Sequence, residues 1–149
     1  MRAVIQRVIR GRVSVNKKMI NEITQGYVIL LGVKTGDTEK EAKLLAEKTV
    51  NLRIMSDEND KMNRSILDVK GEILVVSQFT LYADLTAGRR PSFIQAAKPS
   101  IARKLYELYV SELKRLGVAK VVTGEFGTYM TVEILNDGPV TIMLDSDNL

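Results

Sequence analysis

The spacing of apolar side chains divides the chain into strand-like and helix-like stretches. Val4 to Val15 is rich in β-branched residues, and Asn16-Lys17-Lys18 reads as a turn into a second strand over Met19–Ile23. Tyr27-Val-Ile-Leu-Leu-Gly-Val33 is apolar without a break, as expected of a strand buried on both faces. Asp37-Thr38 opens a helix: Thr38 and Glu41 have the spacing of a capping box, and Ala42, Leu45, Ala46, Thr49 and Leu52 form its inner stripe. Ser56–Asp60 is a polar loop that lacks the glycine and distal glutamate of a Ca²⁺ loop. After a turn at Gly71, Glu72–Thr80 predicts another buried strand, followed by a long basic loop over 83–98. Pro99 starts a second helix with an apolar face of Ile101, Leu105, Leu108, Tyr109, Leu113 and Leu116, and Gly117 ends it. Val118–Val122 and Met130–Leu144 supply the last strands. Strands outnumber helices and their connections are short. The expected class is α+β: one domain, with a mixed or antiparallel sheet and two main helices packed outside it. No repeat or linker divides residues 1–149.

One pair interrupts the last strand pattern. Proline gives no N–H to a ladder, so Gly138-Pro139 belongs at an edge, a bulge or a strand start. Two readings stand. Asp137-Gly138 is a strong hairpin turn signal, with Pro139 opening the next strand. Alternatively, the pair frees main-chain carbonyls to point at a ligand.

Composition narrows the chemistry. The 149 residues contain no cysteine and no histidine. That removes disulfides, thiolate nucleophiles, Cys-type zinc sites and any imidazole base. An enzyme built from this chain must use hydroxyls, carboxylates, Lys, Tyr, backbone dipoles or its substrate. The net charge is +4, unevenly spread. Residues 1–21 carry Arg2, Arg7, Arg10, Arg12, Lys17 and Lys18 without an acid, and 85–104 carry Arg89, Arg90, Lys98, Arg103 and Lys104 without one. Such stretches suit a polyanion, with a solvated basic face as the plain alternative. Aromatic residues are only 5% of the chain, which favours phosphate contacts over base stacking. No apolar run is long enough for a membrane helix and Arg7 precedes any signal-peptide core, so a cytoplasmic location is expected.

Ser77-Gln78-Phe79-Thr80-Leu81-Tyr82-Ala83 sits where a buried strand meets the basic loop, a common place for ligands. Its hydroxyls and amide offer donors and acceptors, and N–H groups near Phe79 and Thr80 could polarise a carbonyl. The same string would also serve merely to end a strand. Asp145 and Asp147 read as a solvated tail, and no carboxylate spacing points to a metal.

Four segments, Met1-Arg-Ala-Val-Ile-Gln-Arg-Val8, Ser77–Ala83, Gly88-Arg-Arg-Pro-Ser-Phe93 and Asn136-Asp-Gly-Pro-Val-Thr141, together resemble the D-aminoacyl-tRNA deacylases, in order along essentially the whole chain. Thr128 departs from that pattern, which usually has Ala there. The resemblance implies a homodimer of β-barrel-like α+β subunits with active sites at the subunit interface. It implies hydrolysis of the ester joining a D-amino acid to the terminal ribose of tRNA, a proofreading step in translation that needs no cofactor. Ser77, Gln78, Phe79 and Thr80 would line the catalytic pocket. Gly138-Pro139, with a cis peptide bond, would enter from the partner subunit and select chirality, braced by Arg7 and supported by Met130. Arg89, Arg90 and Lys98 would meet tRNA phosphates. Two other classes remain open: a non-catalytic RNA-binding protein, and a dimerisation module in which Gly138-Pro139 only blunts a strand edge.

Overall fold

The computed structural model describes residues 1–149. Strand β1 (Arg2–Val15) is the spine of the sheet. Its C-terminal half pairs antiparallel with β2 (Lys18–Ile23) through a tight turn in which Asn16 and Lys17 take φ of 50° and 64°. Its N-terminal half pairs antiparallel with β3 (Gly26–Gly32), from Arg2 opposite Gly32 to Val8 opposite Gly26. β6 (Glu72–Ser77) runs parallel to β3, and β7 (Lys120–Thr123) parallel to β6. Asn21 on β2 donates to the Thr123 carbonyl at 2.7 Å, drawing the ends of the sheet together into a nearly closed barrel. β8 (Thr131–Asp145) lies along the other side of β1, and pairs with no other strand.

Alternation sorts the buried side chains onto two faces. Tyr27, Ile29, Leu31, Ile73 and Val75 face the helices, in a cluster of 24 buried residues. Val28, Leu74, Val76, Val8, Val13 and Ile23 fill the inside of the curled sheet. The unbroken apolar run of β3 is thus buried on both sides, as its sequence predicts. Helix α1 (Glu39–Asn51) carries the expected capping box: Thr38 accepts from Lys40 N–H, and Glu41 accepts from Thr38 N–H at 2.7 Å. It packs on α2 (Pro99–Arg115), where the Thr49 and Tyr109 hydroxyls meet at 2.8 Å between the helices. Gly117, at φ +102°, ends α2.

Four details differ from the sequence reading. The strand beginning at Glu72 stops at Ser77, because Gln78 turns the chain into a 3₁₀ turn over Phe79–Tyr82. The polar loop forms a small hairpin, β4 (Met55–Ser56) with β5 (Met62–Arg64), tightened by Asp57. Ile101 is exposed, lying in an open cleft beside Asp37 and Glu39, while burial along α2 begins at Leu105. Finally, Asp137-Gly138 does not turn a hairpin. β8 pairs with β1 on both sides of it, and Asp137–Val140 bulge out opposite Arg7 alone, between the pairs Val8–Asn136 and Gln6–Thr141. No helix is long and apolar enough to cross a membrane.

Candidate active site

β3 and β6 run parallel, so their C-terminal ends open at the same edge of the sheet, under the first turns of α2. There the structure holds a cavity of about 450 Å³. Leu31, Val33 and Ser77 form its floor, Ala102 and Tyr106 of α2 one wall, and Phe126-Gly127 of the β7–β8 connection another. The Tyr106 hydroxyl is spent on the Val75 carbonyl at 2.8 Å, so this wall presents its ring rather than a donor. Phe79 and Phe93 close the mouth edge to face, with ring centres 5.0 Å apart. Lys98 brings the cationic charge at the rim.

Ser77-Gln78-Phe79-Thr80 spans the end of β6 and the start of the 3₁₀ turn. Gln78 N–H still completes the ladder to Leu31 carbonyl at 2.8 Å. The next residues enter the 3₁₀ turn, whose first N–H groups, those of Phe79 and Thr80, have no partner within it. The Gln78 side-chain amide donates to the Thr80 hydroxyl, which therefore meets a donor and no base. Ser77, Gln78 and Phe79 line the cavity; Thr80 stands exposed just outside its walls.

The other motif lies elsewhere in the chain. Gly138 and Pro139 are exposed on β8 and do not line the cavity; their peptide bond is cis. Gly138 has φ +130°, a region open essentially to glycine alone. A Cβ there would lie 2.7 Å from both the N and Cγ2 of Val140. Arg7 holds the bulge from beneath. Only 7% exposed, its guanidinium donates to the Asp137 carbonyl at 3.1 Å and to the Ile54 carbonyl at 2.7 Å, and lies 3.1 Å from the Asp137 carboxylate. The bulge is thereby tied to the start of the β4–β5 hairpin.

The remaining predicted residues are scattered. Met130 packs over Gly124 and against the inner core rather than facing the cavity. Thr128 is half-buried beside the Phe126-Gly127 wall without joining it. Arg89 and Arg90 are exposed at the tip of the basic loop, away from the lining, and only Lys98 reaches the rim. Asp145 is ion-paired to Arg2 at 2.7 Å rather than being a free tail residue. Burial pushes its carboxyl up, but hydrogen bonds from Arg2 and the Asp147 N–H prevail and hold it below its ordinary value. No three acidic side chains converge as a metal site would require. Sequence reasoning missed Leu31, Val33, Ala102 and Tyr106 as cavity walls, since each reads simply as core or helix face.

Comparison with known proteins converges on one family. The family model described as D-Tyr-tRNA(Tyr) deacylase matches residues 4–145. A D-aminoacyl-tRNA deacylase of Roseiflexus sp. is 60% identical, covering 98% of this chain and 94% of the relative. One from Thermosipho africanus is 55% identical, covering 98% and 97%. Among solved structures, one described as a c-Myc DNA unwinding element binding protein superposes with a TM-score of 0.92 at 40% identity, covering 97% of this chain and 98% of that one. A probable eukaryotic D-amino acid tRNA deacylase shares the fold, with a TM-score of 0.81 at 17% identity over 96% and 97% of the two chains. With matches of this extent, the chain belongs to the D-Tyr-tRNA(Tyr) deacylase family of ester hydrolases.

Proposed function

We propose that this protein hydrolyses the ester of D-aminoacyl-tRNA in the cytoplasm, and that each active site is shared between two subunits. The observation that carries the reading is a separation. The cavity has an apolar floor, main-chain donors at one edge and a cationic rim, yet the Gly138-Pro139 bulge points into solvent outside it. β8 also leaves one long edge unpaired, with Leu135 and Met143 exposed along it, and such an edge is ordinarily covered. A second copy of the chain covers that edge and carries its bulge to its neighbour's cavity.

In this arrangement the terminal adenosine and the ester enter between Phe79 and Phe126. The free N–H groups of Phe79 and Thr80 stabilise the oxyanion that forms when the ester carbonyl is attacked. Water is the nucleophile. The ester is already activated, and the vicinal 2′-hydroxyl of the ribose takes the part of the absent histidine in helping water attack. Main-chain atoms of the partner's bulge receive the ammonium group and leave no room for a side chain of L configuration. Because they sense the configuration at Cα, several D-amino acids are accepted. Glycine, lacking a side chain to clash, leaks through. Release of free amino acid from charged tRNA separates this reading from a purely RNA-binding protein, which would bind without releasing product.

Mixing two inactive variants tests the sharing. Gln78→Ala disables its own cavity, and Gly138→Ala disables the cavity of the other subunit. After unfolding and refolding together, random pairing should leave about a quarter of the sites intact and restore that share of activity. Restoration of none, or full activity in a sedimenting monomer, contradicts the proposal.

A further inference from the structure

The cavity accounts for the esterified nucleoside but not for the RNA strand that leads to it. Tyr106 and Phe126 form its wall, and both also line a second, shallower groove of about 310 Å³ on their far side, between α2 and the end of β7. One face of α2 supplies that groove with Arg103, Glu107, Ser111 and Lys114, spaced at i, i+4, i+8 and i+11.

Charge marks this groove out from the rest of the helix. Lys104 is paired with Glu39 at 3.1 Å and Arg115 with Glu112 at 2.6 Å. Arg103 and Lys114, the other two cations of α2, have no carboxylate partner, and both face the groove. The Arg103 guanidinium is held over the Phe126 ring, 5.1 Å from its centre, and donates to the Phe126 carbonyl at 3.5 Å. It is thus fixed at the partition between the two spaces. At 1.5 Å of rise per residue, Lys114 lies about 16 Å farther along the helix, a length that a short single-stranded run of RNA covers.

Building on the reading of the cavity above, we infer that the α2–β7 groove is a second subsite, which takes the single-stranded nucleotides preceding the esterified adenosine, with their phosphates on Arg103 and Lys114. Glu107 is the one acid on this face and sets the sign of a control, since it opposes a phosphate in the same groove. Arg89 and Arg90, on the loop tip outside both spaces, supply the rival path for the strand.

Two substrates separate the subsite from the cavity: a D-aminoacyl ester of adenosine alone, and the same ester on full-length tRNA. The Arg103→Gln/Lys114→Gln double variant should lose about tenfold more kcat/KM on the tRNA than on the adenosine ester, mainly through KM. The log–log salt slope of tRNA binding should shrink by about 1.4, from two single-strand phosphate contacts. Glu107→Gln should move affinity for tRNA the opposite way. Equal loss on both substrates, no loss on either, or a tRNA-selective loss in Arg89→Gln/Arg90→Gln in its place overturns the subsite while leaving the cavity reading intact. Wild-type protein that hydrolyses neither ester overturns both.

Discussion

Two residues show how much here depends on main-chain geometry. Gly138 sits at φ +130° with Val140 close behind, so alanine must either shift Val140 or distort the bulge. Gly138→Ala should destabilise the protein by about 1–3 kcal/mol, the usual cost of a strained backbone position. It should depress D-ester hydrolysis far more than that loss explains at temperatures where the fold is intact. A denaturation curve alongside the rate separates the two effects, and an unchanged rate contradicts a role for the bulge. Thr80 makes the reverse case. Its hydroxyl accepts from Gln78 and has no base beside it, while its N–H stays free whatever the side chain. Thr80→Ala should therefore keep substantial activity, and a trapped acyl ester on Thr80 would contradict the attack by water. For Arg7, only the family resemblance pointed to a bracing role, and its other contacts had no local signal. Its partners Ile54 and Ser56 lie 47 and 49 positions away.

At the level of elements, the regular pieces were readable because each has a local cause. The capping box at Thr38, the unbroken apolar β3 and the Pro99 start with a Gly117 stop all appear where sequence places them. The misread pieces have causes that are not local. Glu72–Thr80 looks like one strand, yet β3 ends at Gly32 and offers no ladder beyond Ser77. Asp137-Gly138 carries turn chemistry, but pairing with β1 continues on both sides and converts the turn into a bulge. The β4–β5 hairpin depends on one carboxylate. Asp57 accepts from the Asn63 side chain at 2.7 Å and from the N–H groups of Asn59 and Lys61 at 2.8 and 3.0 Å. These bonds, that of Asn63 foremost, hold its carboxyl below the ordinary 3.8. A group lowered in the folded state adds stability above its unfolded value and loses it as pH falls through the folded one. Hydrogen exchange, corrected for intrinsic rate, should show Asn59 and Lys61 losing protection below pH 3.8, while β3 amides remain protected. Retained protection at Asn59 and Lys61 in Asp57→Ala at neutral pH would contradict this.

For the whole molecule, the α+β class and the two outer helices follow from the apolar pattern, and the two motifs were found by their residues. Their relation was not readable in that way. The cavity draws its walls from β3, β6, α2 and the β7–β8 connection, segments that meet only because parallel strands end together under a helix. The bulge lies outside those walls, exposed on the surface of the chain. On the proposed reading, chiral selection is a property of two subunits with one shared cavity. The absence of histidine and cysteine fits the proposed site, in which donors of fixed position and the substrate's own hydroxyl would do the chemistry. The most direct measurement is single-turnover deacylation of one tRNA charged in parallel with the D and the L form of the same amino acid. Rapid release from the D-ester, little from the L-ester, and measurable release from glycyl-tRNA are expected. Equal rates on the D- and L-esters would contradict it.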